Sequence, residues 1–370
     1  MAVLARFDAV ALRDAAIQLK SGHLVAFPTE TVYGLGANAL DAEAVSLIFQ
    51  AKGRPLTDPL IVHVAKAEDA LPLIQLTAKG HKLFSILSEK FWPGPLTIIA
   101  PASDRIPPLV TANTGFVGVR CPAHPVALEL LQAAKIPIAA PSANRFGHVS
   151  PTCAQHVMND LGHCANLTVL DDSNEETSRV GIESTVIRIV PSMDQVWIYR
   201  RGGTSEDALS SVLQENQKQL EATYTVIVKA NTTSESSAKN QEAPGQLLKH
   251  YAPDVETHLI QICSDSNQNC ALLTAEFDLA ECVILDVNRQ LAPFEAKSLA
   301  YRDLSKDGDI TKASQLIFEA LRWSESVPKA KKVLMADIEH ISHQHTAALR
   351  DRMFRAASGK VQKLKGATHQ

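Results

Sequence analysis

Strand-like runs only three to seven residues long, most of them largely apolar, recur through the first two hundred positions of this chain, at 23–27, 60–64, 96–100, 116–120, 136–140, 169–171, 183–189 (with period-2 alternation at its end) and 196–200. Most are bounded by Pro, Gly or hydroxyl residues. Runs this short fit buried strands and are too short for core helices. Helical patterns at 8–21, 42–50, 77–91 and 125–135 fall between some of them. Elsewhere one strand follows another directly. The pattern predicts an α/β fold built on a mixed, twisted open sheet with helices, not a purely parallel one.

The stretch Phe27-Pro-Thr-Glu-Thr-Val-Tyr-Gly-Leu-Gly-Ala-Asn-Ala39 packs hydroxyls and a carboxylate into what reads as a turn between the first strand and the helix at 42–50. In an open α/β sheet, ligands bind just beyond the carboxyl ends of strands. Gly34–Ala39 has the G-x-G-x-x-A spacing of a dinucleotide fingerprint. The acidic residue expected about 20 positions on is absent, since Arg54 stands there. The glycines also follow a polar insert, not a strand. They read as sites of close backbone packing.

Between 229 and 244 the composition turns polar, with almost no apolar content to bury, which marks a linker. It runs into His250-Tyr251-Ala252-Pro253, which reads as ordered. The expected organisation is a catalytic domain at 1–228, a linker at 229–253 and a C-terminal domain at 254–370. In the last, strand patterns at 259–262, 271–274, 282–287 and 333–336 alternate with helical ones at 310–324 and 346–357, as in a small Rossmann-like domain.

Net charge is -4 and the six cysteines are scattered with no C-x-x-C pair, so neither bulk nucleic-acid binding, nor a zinc site, nor a disulfide framework is expected. With a mean hydropathy of -0.03 and no signal-like start, a reduced, cytoplasmic protein with no membrane contact is the expectation.

Taken singly, the candidate site residues have ordinary readings. Lys52 and Arg54 can clamp phosphate, but by themselves they read as a solvated helix end, which the helix dipole favours. His63 sits in an apolar run, where a lone histidine is usually a satisfied core residue. Arg120 ends a strand of small and apolar residues and requires an anionic partner, from a ligand or from the chain. Ser142, Asn144 and Ser184 offer hydroxyl and amide groups at strand ends. No Walker P-loop, H-E-x-x-H or nucleophile elbow occurs.

Together these segments resemble the threonylcarbamoyl-AMP synthase family in its long form, a YrdC-like domain followed by a C-terminal domain. The resemblance is carried by residues 27–39, Lys52-Gly-Arg-Pro55, Pro59-Leu-Ile-Val-His63, Trp92-Pro-Gly-Pro-Leu-Thr97, Val119-Arg-Cys-Pro122, residues 139–144, residues 181–187 and the His250–Pro253 segment. It implies an enzyme using ATP with Mg2+, L-threonine and bicarbonate or CO2, with no organic cofactor and no protein metal site. Its product passes to the machinery that transfers threonylcarbamoyl to a tRNA adenosine beside the anticodon, and tRNA contact is expected to be weak. By resemblance, Thr31, His63, Arg120, Ala140 and Ser184 hold threonine. Lys52, Arg54, Asp58, Phe116, Ser142, Asn144, Ser150, Arg200 and Tyr251 line the nucleotide, and His250 with Tyr251 forms a lid. Phe116 stands where a hydroxyl residue is common, and Leu247-Leu248 where a more polar pair is. Two other readings are an RNA-binding module of the same fold, which the acidic balance disfavours, and a carbamoyl-transfer protein of hydrogenase maturation, which the scattered cysteines disfavour.

Overall fold

The computed structural model describes residues 1–172, 180–229, 240–245, 251–263 and 271–365. Most of the expected linker, with Leu247, Leu248 and His250, lies outside them. The chain divides into two compact units, the first comprising 1–146 and 150–247 and the second 147–149 and 248–370.

The first unit is built on strands β1 (Val3–Arg6), β2 (Leu24–Phe27), β3 (Gly34–Asn38), β4 (Ile61–His63), β5 (Leu96–Pro101), β6 (Phe116–Arg120), β7 (Ile138–Ala139), β8 (Leu167–Asp171), β9 (Thr185–Val190), β10 (Gln195–Arg200) and β11 (Thr225–Val228). They form one sheet in the order β1-β8-β2-β3-β7-β4-β6-β5-β9-β10-β11. Parallel pairs such as β4 with β6 and β5 with β9 interleave with antiparallel ones such as β2 with β3 and β5 with β6. The sheet is therefore mixed, as expected. In β2, Leu24 and Ala26 pack into one hydrophobic cluster and Val25 and Phe27 into another. The period-2 side-chain alternation thus buries both faces, and the run reads as unbroken apolar sequence.

One expectation fails at the opening turn. The chain does not pass from the turn to a helix but returns as β3, antiparallel to β2, with Val25 opposite Gly36 and Phe27 opposite Gly34. Two glycines and no β-branched residue give this strand little intrinsic propensity, so packing decides it. A Cβ at Gly36 would lie 2.8 Å from both the Phe27 ring and the Ile138 side chain. Only glycine lets that ring seat against the sheet. The helix Ala42–Lys52 then starts at Asp41, which accepts from the Glu43 and Ala44 amides. It ends at Gly53 in the left-handed conformation, φ 63°.

In the second unit, β12 (Glu256–Cys263), β13 (Ala271–Leu272), β14 (Cys282–Asp286), β15 (Ala300–Asp303), β16 (Lys332–Ala336) and β17 (Val361–Lys365) form a parallel sheet in the order β13-β17-β12-β16-β14-β15. Helices Ile310–Ser326 and Thr346–Ala356 accompany it. The strand expected at 271–274 is shorter, because Leu273–Glu276 turns helical. Cys263 is disulfide-bonded, contrary to the expectation of a reduced protein without disulfides. Among the described residues no helix is long and apolar enough to cross a membrane.

Candidate active site

Parallel pairing of β4 with β6 sets His63 directly beside Arg120 at the carboxyl ends of both strands. The connection from β2 to β3 brings Thr29, Glu30 and Thr31 to the same place. Thr29 shapes that connection. Its hydroxyl donates to the Val32 carbonyl at 2.6 Å and accepts from the Thr31 and Val32 amides at 3.2 Å. Arg120 Nη2 donates to Glu30 Oε1 at 2.6 Å and to Thr31 Oγ1 at 3.1 Å, and Arg120 Nε donates to the Gly94 carbonyl at 3.3 Å. All of these side chains are buried. Ala140 follows β7 and donates its amide to Ile61 O at 2.9 Å. Ser184, just before β9, shares a hydrogen bond with Thr97 Oγ1 at 2.8 Å and accepts from Arg200 Nη2 at 3.1 Å.

Among the described residues, Glu30 Oε2 finds no hydrogen-bond partner in this pocket, and the His63 imidazole meets only the Ile138 and Ile61 backbone. Burial, then the adjacent Arg120 charge, pushes the His63 imidazole down to about 3. It is neutral at physiological pH. Burial, then the charge of Glu30, pushes the Cys121 thiol up to about 12.

The phosphate-type residues gather around the end of the helix Ala42–Lys52. Lys52 Nζ donates to the carbonyls of Ser142 and Asn144 at 2.6 and 2.5 Å. Burial, then the neighbouring Arg54 charge, holds this ammonium well below the usual lysine range. Arg54 donates to the Asp58 and Pro59 carbonyls and pairs with Asp58 Oδ2 at 3.0 Å. Burial raises Asp58, with the Arg54, Lys52 and Arg200 charges opposing it. Lys52 and Arg54 are only 4% and 7% exposed, so the reading of a solvated helix end is wrong. The helix terminus is folded under residues 142–144, and Arg54 is satisfied by its own loop. Ser150 Oγ donates to Glu183 Oε1 at 2.8 Å.

Phe116 lies at the start of β6, with the Arg188 guanidinium 3.7 Å from its ring centroid. Arg188 in turn pairs with Glu242 at 2.6 Å, and Tyr199 also hydrogen-bonds Glu242. Part of the expected linker is thus fixed to this unit. The Gln241 amide reaches Thr57 O at 2.9 Å, Ala243 packs with Ile61, Ile99 and Val186, and Gly245 hydrogen-bonds Asp58. Tyr251 belongs to the second unit, buried with its ring 5.4 Å from Phe318 and 5.7 Å from the Arg352 guanidinium. His250 lies outside the described residues.

Sequence reasoning missed Glu30, Thr97, Glu183, Arg188 and Glu242. Glu30, Thr97 and Glu183 lie inside motifs that it singled out, and burial was the missing signal. Arg188 and Glu242 look like ordinary surface charges until they pair. Among the described residues, one group has metal-ligand geometry: His148, Asp254 and Glu325, in the second unit. There Glu325 Oε1 lies 2.9 Å from His148 Nε2 and accepts the Asp254 amide at 2.6 Å.

A mixed α/β unit gathering an arginine–carboxylate pair, neutral imidazole and buried cations, followed by a parallel α/β unit, is the class that comparison recovers. Residues 18–202 match a family model, Sua5–YciO–YrdC, described as telomere recombination. Residues 206–358 match one described as the C-terminal domain of threonylcarbamoyl-AMP synthase. Threonylcarbamoyl-AMP synthase of Pyrococcus abyssi is 40% identical over 259 residues, 69% of each chain. That of Bacillus subtilis is 38% identical over 270 residues, 72% of this chain and 70% of the relative. The crystal structure of P. abyssi Sua5 complexed with L-threonine superposes with a TM-score of 0.77 at 29% identity, covering 98% of this chain and 99% of that one. The chain belongs to the threonylcarbamoyl-AMP synthase family, in its two-domain form. Its activity is that family's, a transferase activity in tRNA modification.

Proposed function

We propose that the reaction is a nucleotidyl transfer in which L-threonine, bicarbonate or CO2, and ATP give threonylcarbamoyl-AMP and pyrophosphate. The observation that carries this reading is Arg120, a buried cation at paired strand ends, flanked by Thr31 and the neutral His63. It is suited to an amino-acid carboxylate, with Thr31, His63, Ala140 and Ser184 around the rest of threonine. Lys52, Arg54, Asp58, Phe116, Ser142, Asn144, Ser150 and Arg200 form the nucleotide side, where the buried cations meet phosphate.

The threonine amine takes up CO2 to give a carbamate. A carbamate oxygen then attacks the α-phosphorus and pyrophosphate leaves. Such a transfer depends on placement and charge neutralisation more than on a covalent nucleophile. Mg2+ carried on ATP would neutralise phosphate charge. Asp58 and Glu183 are already engaged by Arg54 and Ser150, which fits a metal carried by phosphate oxygens better than a protein cage. A carbamate loses CO2 readily in water, so a cover over the site is useful. Tyr251 with His250 is proposed as that lid, and 1–228, 229–253 and 254–370 as catalytic domain, linker and C-terminal domain. The product goes to the tRNA-modifying machinery of the cytoplasm. Pyrophosphate release should require ATP, threonine and bicarbonate together. Release that persists without threonine would defeat the reading.

A further inference from the structure

We propose that Glu30 is the general base that takes the proton from the threonine amine, and so a catalytic residue of the carbamoylation step. The inference rests on the reading above, in which Arg120 binds the threonine carboxylate. Glu30 is 7% exposed; its Oε1 accepts from Arg120, and its Oε2 has no partner among the described residues. A buried carboxylate oxygen without a donor is costly, and such an atom in a ligand pocket calls for a donor that arrives with the ligand. In an α-amino acid the ammonium is one carbon away from the carboxylate. A carboxylate seated on Arg120 therefore carries its ammonium to the neighbourhood of the carboxylate that already touches Arg120.

The other titratable groups facing this pair do not serve. His63, beside Arg120 on β4, has been driven to about 3 by burial and the Arg120 charge, which makes it a poor proton acceptor. Cys121, next in the chain after Arg120, has a thiol raised to about 12, so it is protonated and holds its proton. Thr31 and Thr29 are neutral hydroxyls engaged with one another at 2.8 Å. Arg120 is a permanent cation. Glu30 is the one carboxylate among them.

The step balances. Glu30 takes one proton from the ammonium, and the freed nitrogen lone pair forms the N–C bond to CO2 while one C=O pair moves onto oxygen. The second N–H proton then leaves to water, giving the carbamate anion. Glu30 returns its proton to solvent before the next turnover. The Arg120 contact is kept throughout, so one carboxylate both positions the guanidinium and accepts the proton.

The test is the pH dependence of pyrophosphate release, at saturating ATP and bicarbonate, for wild type, Glu30→Gln and Glu30→Asp. With a protein base, wild type is level from about pH 7 to 9. Glu30→Gln keeps the Arg120 hydrogen bond but cannot take the proton. Its kcat at neutral pH should fall about 100-fold or more, while its rate climbs roughly tenfold per pH unit as free amine becomes available. Glu30→Asp should keep the level profile at lower kcat. A level profile in Glu30→Gln, or a kcat within about threefold of wild type, would leave Glu30 as a positioning residue only and overturn the proposal. So would a wild-type rate that climbs about tenfold per unit across the range. Should Glu30→Gln fail to fold, the wild-type and Glu30→Asp profiles decide. If wild type shows no threonine-dependent release, the reading of the reaction falls as well, whereas a normal wild type with an unchanged variant removes Glu30 alone.

Discussion

Two buried carboxylates, one in each unit, are held in opposite ways. Asp286 ends β14 in the second unit and is fully satisfied. Oδ1 accepts the Val287 amide at 2.8 Å, and Oδ2 accepts the Leu291 amide at 2.8 Å and the Tyr301 hydroxyl at 2.7 Å. Glu30 leans on a single guanidinium and leaves Oε2 unmatched. Both are buried, Glu30 at 7% and Asp286 at 0% exposure, so burial alone does not separate structure from function. A closed set of hydrogen bonds contributes to folding, while an open one stores a demand that a ligand meets. The same contrast separates Asp337, gripped by Nε and Nη2 of Arg350 at 2.7 and 2.9 Å, from His63, which no side chain among the described residues holds and which meets only the Ile138 and Ile61 backbone.

The contrast breaks first at Arg120 if it is misplaced. Arg120→Ala should raise the threonine KM on the order of 100-fold and move the ATP KM by less than about threefold, measured by pyrophosphate release. Equal effects on both substrates would remove the carboxylate role. Lys52→Ala should act on the other side, raising the ATP KM by about 10-fold or more with little change for threonine.

His63 gives a pH signature of smaller size. Its folded-state value, about 3, lies below the ordinary imidazole value of 6.5. Below about pH 6.5 the unfolded chain binds a proton that the folded chain refuses. Stability from the neutral imidazole is therefore whole above that pH and is lost as pH falls towards 3. Urea titrations should show a slope between pH 6 and 4 that His63→Gln reduces by up to about 1 kcal/mol per pH unit. An unchanged slope would mean that His63 is not held neutral. Smallest of all, Tyr301→Phe should cost about 1 kcal/mol of stability and leave the threonine KM unchanged. A shift in that KM would erase the distinction between closed and open carboxylates.

Much of the fold was legible. Runs such as 96–100 and 116–120 became β5 and β6 because short, mostly apolar stretches bounded by Pro and Gly have few other uses. The strand β3 was not legible, since Gly-Leu-Gly-Ala-Asn carries neither alternation nor propensity and forms only because the Phe27 ring occupies the space left by Gly36. The edge strand β1 was missed for a different reason: its side chains are mostly exposed, so no buried face marks it. In the site, Arg120 was legible as a strand-end cation needing an anion. Which anion was not, because Glu30 lies 90 residues away.

The sequence by itself determined the motifs, the two-domain order and the set of residue types available for an amino acid and a nucleotide. It could do so because those features are local: short strands, the turns that end them and the side chains those turns carry. Only the tertiary structure decided which charges are buried, which are answered within the chain and which are left open. That depends on strands β4 and β6 pairing across more than fifty residues and on the β2–β3 turn folding against them. A carboxylate becomes a candidate base only when its surroundings remove water and offer no second donor, and no local pattern records that.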